Sequence, residues 1–149
     1  MQAIILRNPN ALMVPEVGGL LERALNSTPY MAPRGLADVA GDLIDYVQDP
    51  QHFLILGAEK GAFRGVVMMN LPVRRLFPTP QITLMYNEGT RPLLKVMQAK
   101  ALEIIQQNGY TKAWGVNASG RSDRAWKKVF EFENVEVQPL GTFFEFQIE

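Results

Sequence analysis

The succession of strand and helix signals in this chain predicts an α/β (α+β) fold. The expectation is one mixed, mostly antiparallel central sheet of six to seven strands with about four helices, in the order β, α, α, β, β, β, α, β, α, β, β. Three observations carry it. Two apolar runs flank the turn-forming EKG in HFLILGAEKGAFRGVVMMNLPV, apolar residues recur at helical spacing after ITLMY, and the chain closes on Phe144, Phe146 and Ile148 at period two.

Taken in order, residues 3–6 form a short apolar run before Arg7 and NPN, which reads as a first strand. From Pro15, residues Val17, Leu20, Leu21, Ala24 and Leu25 keep helical spacing, against the helix-weakening Gly18 and Gly19. A turn-rich NSTPYMAPRG follows. Leu36, Val39, Ala40, Leu43, Ile44 and Val47 then mark one face of a second helix, which Asp49 and Pro50 end. The paired apolar runs read as a hairpin over residues 53–70, and their continuity places both strands inside the sheet rather than at its edge.

LPVRRLFPTPQ is a proline-punctuated loop and ITLMY a fourth strand. The next helix gathers Leu93, Leu94, Met97, Ala101, Ile104 and Ile105 within about 120° of its circumference, and Asn108-Gly109 supplies its stop. KAWGV is a fifth strand. Beyond the turn ASGRSD, where Ser122 or Asp123 can cap, Ala125, Trp126, Val129 and Phe130 outline a fourth helix, and two strands flank PLG near the end.

With 149 residues, 47% hydrophobic and 20% charged, the chain suits one domain spanning 1–149 that folds on its own core. Fifteen basic and fifteen acidic residues cancel, so no global charge draws it to nucleic acid or an anionic membrane. The absence of cysteine excludes disulfides, thiolate metal sites and a cysteine nucleophile, and fits a reducing, cytoplasmic setting. MQAIILRNPN has too few apolar residues in a row for a signal peptide or a membrane span. No metal site is expected, since the single histidine, His52, cannot hold one alone.

The element order over nearly the whole chain, and the local pattern over residues 84–133, resemble the GNAT family of acyl-CoA-dependent N-acyltransferases. In that family a fourth strand leads into a loop of the form Arg or Gln, x, x, Gly, x, Gly or Ala, whose amides hold the coenzyme A pyrophosphate at the start of a helix. EGTRPLL stands at that place. Gly89 matches the first glycine, while Arg91, Pro92 or Leu93 fill the later small positions. The resemblance implies a site for acetyl-CoA or another acyl-CoA along Leu84, Met85 and Tyr86 of the strand. Its phosphates would meet Gly89, the amide and hydroxyl of Thr90, the amide and guanidinium of Arg91, and the amides of Leu93 and Leu94.

VNASGRSDRAWKKVFEFE aligns with a second family run through Val116, Phe132 and Glu133. Gly120 stands at its asparagine, Lys127 at its tyrosine and Glu131 at its glycine. That tyrosine returns a proton to the departing thiolate, so the resemblance leaves Ser122 as the nearest hydroxyl for the task. It further implies a strand amide polarising the thioester, a small-molecule or protein amine as acceptor, and association as a homodimer. Glu88 lies close to the expected phosphates rather than where a base is needed.

Each residue also has a plainer reading. Thr90 can cap a helix with Pro92 in its first turn and no ligand at all. Ser122 can be a helix cap, His52 a surface histidine, and Arg74, Arg75, Lys127 and Lys128 solvated charges. Trp114, Trp126, Met68 and Met69 read as packing. The departures in the loop and at the asparagine and tyrosine positions fit a second class of function: a GNAT-fold protein that binds without catalysis, such as a component of a viral particle or another assembly.

Overall fold

A computed structural model describes residues 1–27, 35–72, 78–115, 128 and 135–138. Along the chain come β1 (Gln2–Leu6), a short 3-10 helix (Pro9–Met13), α1 (Pro15–Leu25), α2 (Leu36–Gln48), β2 (His52–Glu59), β3 (Ala62–Asn70), β4 (Gln81–Asn87), α3 (Arg91–Gln107) and β5 (Trp114–Gly115). The strands lie in the order β1-β2-β3-β4-β5; the first three pairings are antiparallel and the last is parallel.

The described residues thus give five strands and three α-helices, where six to seven strands and four helices were expected. Of the fourth helix over Ala125 to Phe130 only Lys128 is described, and it is helical; of the two terminal strands only residues 135–138 are described, and they form no strand, while the rest of both, with Arg74, Arg75, Lys127 and Trp126, falls outside the described residues. The 3-10 helix has no counterpart in the expected element order. Asn8 accepts a hydrogen bond from the amide of Asn10 at 3.0 Å, and with Pro9 in the first turn this closes a tight helical turn too short for a periodicity signal.

Lys60 and Gly61, both at positive φ (52° and 77°), join β2 to β3 in a two-residue turn whose twist suits a hairpin. β2 and β3 are interior strands, as their apolar runs foretold. Alternate side chains serve opposite faces. Leu54, Leu56, Val66 and Met68 pack with α1 and α2 through Leu20, Leu21, Leu43 and Val47, whereas Ile55, Val67 and Met69 pack with α3 through Leu93, Met97, Ala101 and Ile104. Each such burial contributes roughly 1.5–3 kcal/mol relative to exposure.

Two irregularities re-aim this alternation. Arg64 has no partner on β2, so Phe63 turns to the α1 face while Gly65 faces α3. Thr83 likewise has no partner on β3: Ile82 before it packs on the α3 side, Leu84 after it on the α1 and α2 side. The Thr83 hydroxyl donates to the Met68 carbonyl at 3.2 Å, and Tyr46 of α2 donates to the Met69 carbonyl at 2.9 Å, fastening the bulge.

At one end of the sheet the Arg7 guanidinium donates to the carbonyls of Asp49 and His52, both at 2.6 Å, and lies over the Phe53 ring. His52 is not a free surface histidine, because its ring stacks on Tyr46 with centroids 4.6 Å apart. At the other end the hairpin tip is held from α1, where Glu16 accepts from the Phe63 amide at 2.8 Å. Met68 and Met69 are core, as read from sequence. Trp114 is 46% exposed rather than packed, being on the outermost described strand.

Candidate functional site

Strand β4 delivers the chain to α3 through Glu88, Gly89 and Thr90, with Thr90 as the N-cap residue and Pro92 in the first turn. The unpaired amides and dipole of a helix start favour an anion there. In this structure the anion is the protein's own. Glu59, the last residue of β2, accepts from the Thr90 amide at 3.1 Å and from the Thr90 hydroxyl at 2.9 Å, and is only 8% exposed.

The remaining expected donors are mostly committed as well. The Gly89 amide donates to Asn87 Oδ1 at 2.9 Å, and the Glu88 amide to the Arg64 carbonyl at 2.7 Å. Leu93 and Leu94 both donate to the Thr90 carbonyl, Leu93 being wholly buried against the sheet. Pro92 has no N–H. The expectation of an open row of amides is therefore corrected: among the described residues, the Arg91 amide and its exposed guanidinium are the donors of that set with no recorded partner. Thr90 does occupy the capping position, yet its hydroxyl serves Glu59 instead of the helix.

Gly89 is needed for the same contact. A Cβ at that position would stand 2.8 Å from Leu93 Cδ2, 2.9 Å from Glu59 Oε2 and 3.3 Å from Asn87 Oδ1. The close approach that a glycine permits is used here by a carboxylate.

On the other face of β4 lies a second cluster. Glu88 turns its carboxylate away from the helix start towards α1, where it receives the Nε of Arg23, the Nη2 of Arg23 at 3.2 Å and the hydroxyl of Tyr86 at 2.7 Å. Leu84 and Tyr86 face this side and Met85 faces α3, so the three expected strand residues divide between the faces instead of lining one wall. Ser122 lies outside the described residues.

The hydrogen bonds from Thr90 hold the Glu59 carboxyl below its ordinary range, and those from Arg23 do the same for Glu88. Burial, then the bond to Glu88, raises the Tyr86 hydroxyl. Both carboxyls are depressed on folding, so as the pH falls into the ordinary carboxylate range the unfolded chain binds more protons. The stability these groups lend is present above that range and is lost as pH falls through the folded values. Urea midpoints measured from pH 6 to pH 3 should fall, and the fall should be shallower in Glu88→Gln; equal slopes would show that Glu88 contributes nothing to it.

Sequence reasoning missed Glu59, Asn87 and Arg23. Asn87 carried a local signal, since an asparagine two residues before a glycine amide is an ordinary side-chain turn. Glu59 and Thr90 are 31 residues apart, and no spacing rule joins them. Among the described residues no cluster of three or more His, Asp or Glu could hold a metal, and no helix is long and apolar enough to cross a membrane.

No family model and no curated protein matches the sequence. Solved structures do match the fold. A ribosomal-protein-alanine N-acetyltransferase from Brucella melitensis biovar Abortus 2308 superimposes with a TM-score of 0.66 at 14% identity, covering 97% of this chain and 98% of that one. A GNAT family acetyltransferase from Staphylococcus aureus gives 0.61 at 17% identity, over 97% and 98%. An aminoglycoside 6'-N-acetyltransferase from Acinetobacter haemolyticus gives 0.63 at 10% identity, over 97% and 100%. At such identities the likeness is one of architecture, and it extends over almost the entire length of both partners: the chain has the fold of the GNAT acetyltransferases, carried by a divergent sequence.

Proposed function

We propose that this chain is an acyl-CoA-dependent N-acyltransferase that passes an acyl group, acetyl in the simplest case, directly to an amine of a small molecule or a protein. The observation that carries the reading is the bulge at Thr83. β4 pairs with β5 through Gln81 and Ile82, immediately before the bulge, and a bulge bends its strand and strengthens its twist. The main chain of Leu84, Met85 and Tyr86 beyond it then serves as the wall along which a thioester lies, with a strand amide as donor to its carbonyl.

Acyl-CoA supplies the activated acyl group. The chain's own part is to hold two reactants in register, which needs no covalent intermediate on the protein. Arg91 offers a guanidinium and an amide to a phosphate at the start of α3. Glu88 is a weak base, held charged by Arg23 and Tyr86, and its place on the α1 face assigns it to the acceptor side. Ser122 is the proposed proton donor to the leaving thiolate.

A specific observation favours a second reading, binding without catalysis: the Glu59 carboxylate already occupies the donors of Thr90, so a cofactor's phosphates do not fit there while it stays. Thermal melting separates the two. A ligand at 100 times its Kd stabilises by about 2.7 kcal/mol, and each kcal/mol moves the midpoint of a domain this size by roughly 2–4 °C. Millimolar acetyl-CoA, at 100 times its Kd, should raise the midpoint by about 5–11 °C on this arithmetic, and Arg91→Glu should remove the rise. A flat response in the unaltered chain leaves only the binding protein.

A further inference from the structure

We propose that Glu59 is an internal competitor for anions at the start of α3: its carboxylate must leave Thr90 before the phosphates of an acyl-CoA can settle there. The inference rests on the transferase reading for its natural ligand, but its chemistry is visible in the chain alone.

Three features make the contact a closure and not a chance surface bond. Glu59 uses one oxygen, Oε2, to take both donors of Thr90, the amide and the hydroxyl, so the residue best placed to meet a phosphate has nothing left to offer it. Glu59 as a residue is little exposed, and its Oε2 stands so close to Gly89 that a methyl group there would lie 2.9 Å from it. Its approach is also supported from behind, because Asn87 binds the Gly89 amide and its Nδ2 donates to the Thr90 carbonyl at 2.9 Å, fixing the loop in the shape that receives the acid.

The closure is also built to open. Glu59 ends β2 beside the Lys60-Gly61 turn, and a side chain at a hairpin tip can rotate outward without disturbing a ladder. On release the carboxylate would turn towards solvent at the tip of the hairpin, next to Lys60 in sequence. An entering phosphate would take over the Thr90 donors and add Arg91, exchanging one anion for another of higher charge. No bond is made or broken beyond hydrogen bonds.

Calorimetric titration of the full chain with inorganic pyrophosphate, and separately with acetyl-CoA, tests this. Glu59→Gln keeps the shape and removes the charge; Glu59→Ala removes the wedge. Both variants should bind pyrophosphate at least tenfold more tightly than the unaltered chain, alanine more than glutamine, and acetyl-CoA should follow. Tighter pyrophosphate with unchanged acetyl-CoA would keep the competitor and refute the transferase reading. Folded variants that bind pyrophosphate no better than the unaltered chain overturn the proposal. If neither variant folds, Glu59→Asp, which draws the acid back by one methylene, gives the same comparison.

Discussion

Met97→Ala is expected to lower the unfolding free energy by about 2–5 kcal/mol, the range for removing a large buried aliphatic side chain and leaving a cavity. Met97 is fully buried and is the knob by which α3 grips the sheet. Gly57 and Gly65 face one another across β2 and β3, and a Cβ on Gly65 would stand 2.4 Å from Met97 Cε, one on Gly57 2.6 Å from its Sδ. The two glycines form a hollow that the thioether fills. In a double-mutant cycle, Gly65→Ala should be costly in the parent and much less so beside Met97→Ala, because the methyl then enters vacated space. Urea unfolding of the four proteins measures the coupling, and strict additivity would refute the fit described here.

Arg7→Ala is expected to cost about 2–4 kcal/mol, since hydrogen bonds to a charged donor are worth about 1.5–3 kcal/mol each and their loss leaves partly buried acceptors without that donor. One guanidinium nitrogen of Arg7 gathers the carbonyls of Val47, Asp49 and His52, where α2 ends and β2 begins, and the group also covers Phe53. Arg7→Lys should recover only part of the loss, because a point charge lacks the planar face that lies over the ring. Chemical denaturation followed by circular dichroism reads both variants; a loss below about 0.5 kcal/mol, the size of an ordinary surface change, would show that water replaces Arg7 without penalty.

Much of the architecture was legible because it rests on local periodicity. The run from Leu93 to Ile105 declares a helix by its spacing, and the unbroken apolar stretches around EKG declare interior strands, since both faces of β2 and β3 are covered. The site was legible only in outline. Gly89 and Thr90 do stand between β4 and α3, and Arg91 opens the helix. What closes the site is a contact across 31 residues, and a carboxylate at a hairpin tip looks in sequence like any solvated charge. The bulges at Arg64 and Thr83 were hidden for a related reason: alternation is a statement about two faces, and a strand that changes face midway presents an irregular pattern that only its partner strand explains.

The hairpin tip that carries Glu59 is moored twice, to Thr90 of the β4–α3 junction on one side and, through the Phe63 amide, to Glu16 of α1 on the other. Two acids, one on the hairpin and one on a helix, thereby tie opposite layers to a single fulcrum. Loss of either tie leaves the tip held from one layer only.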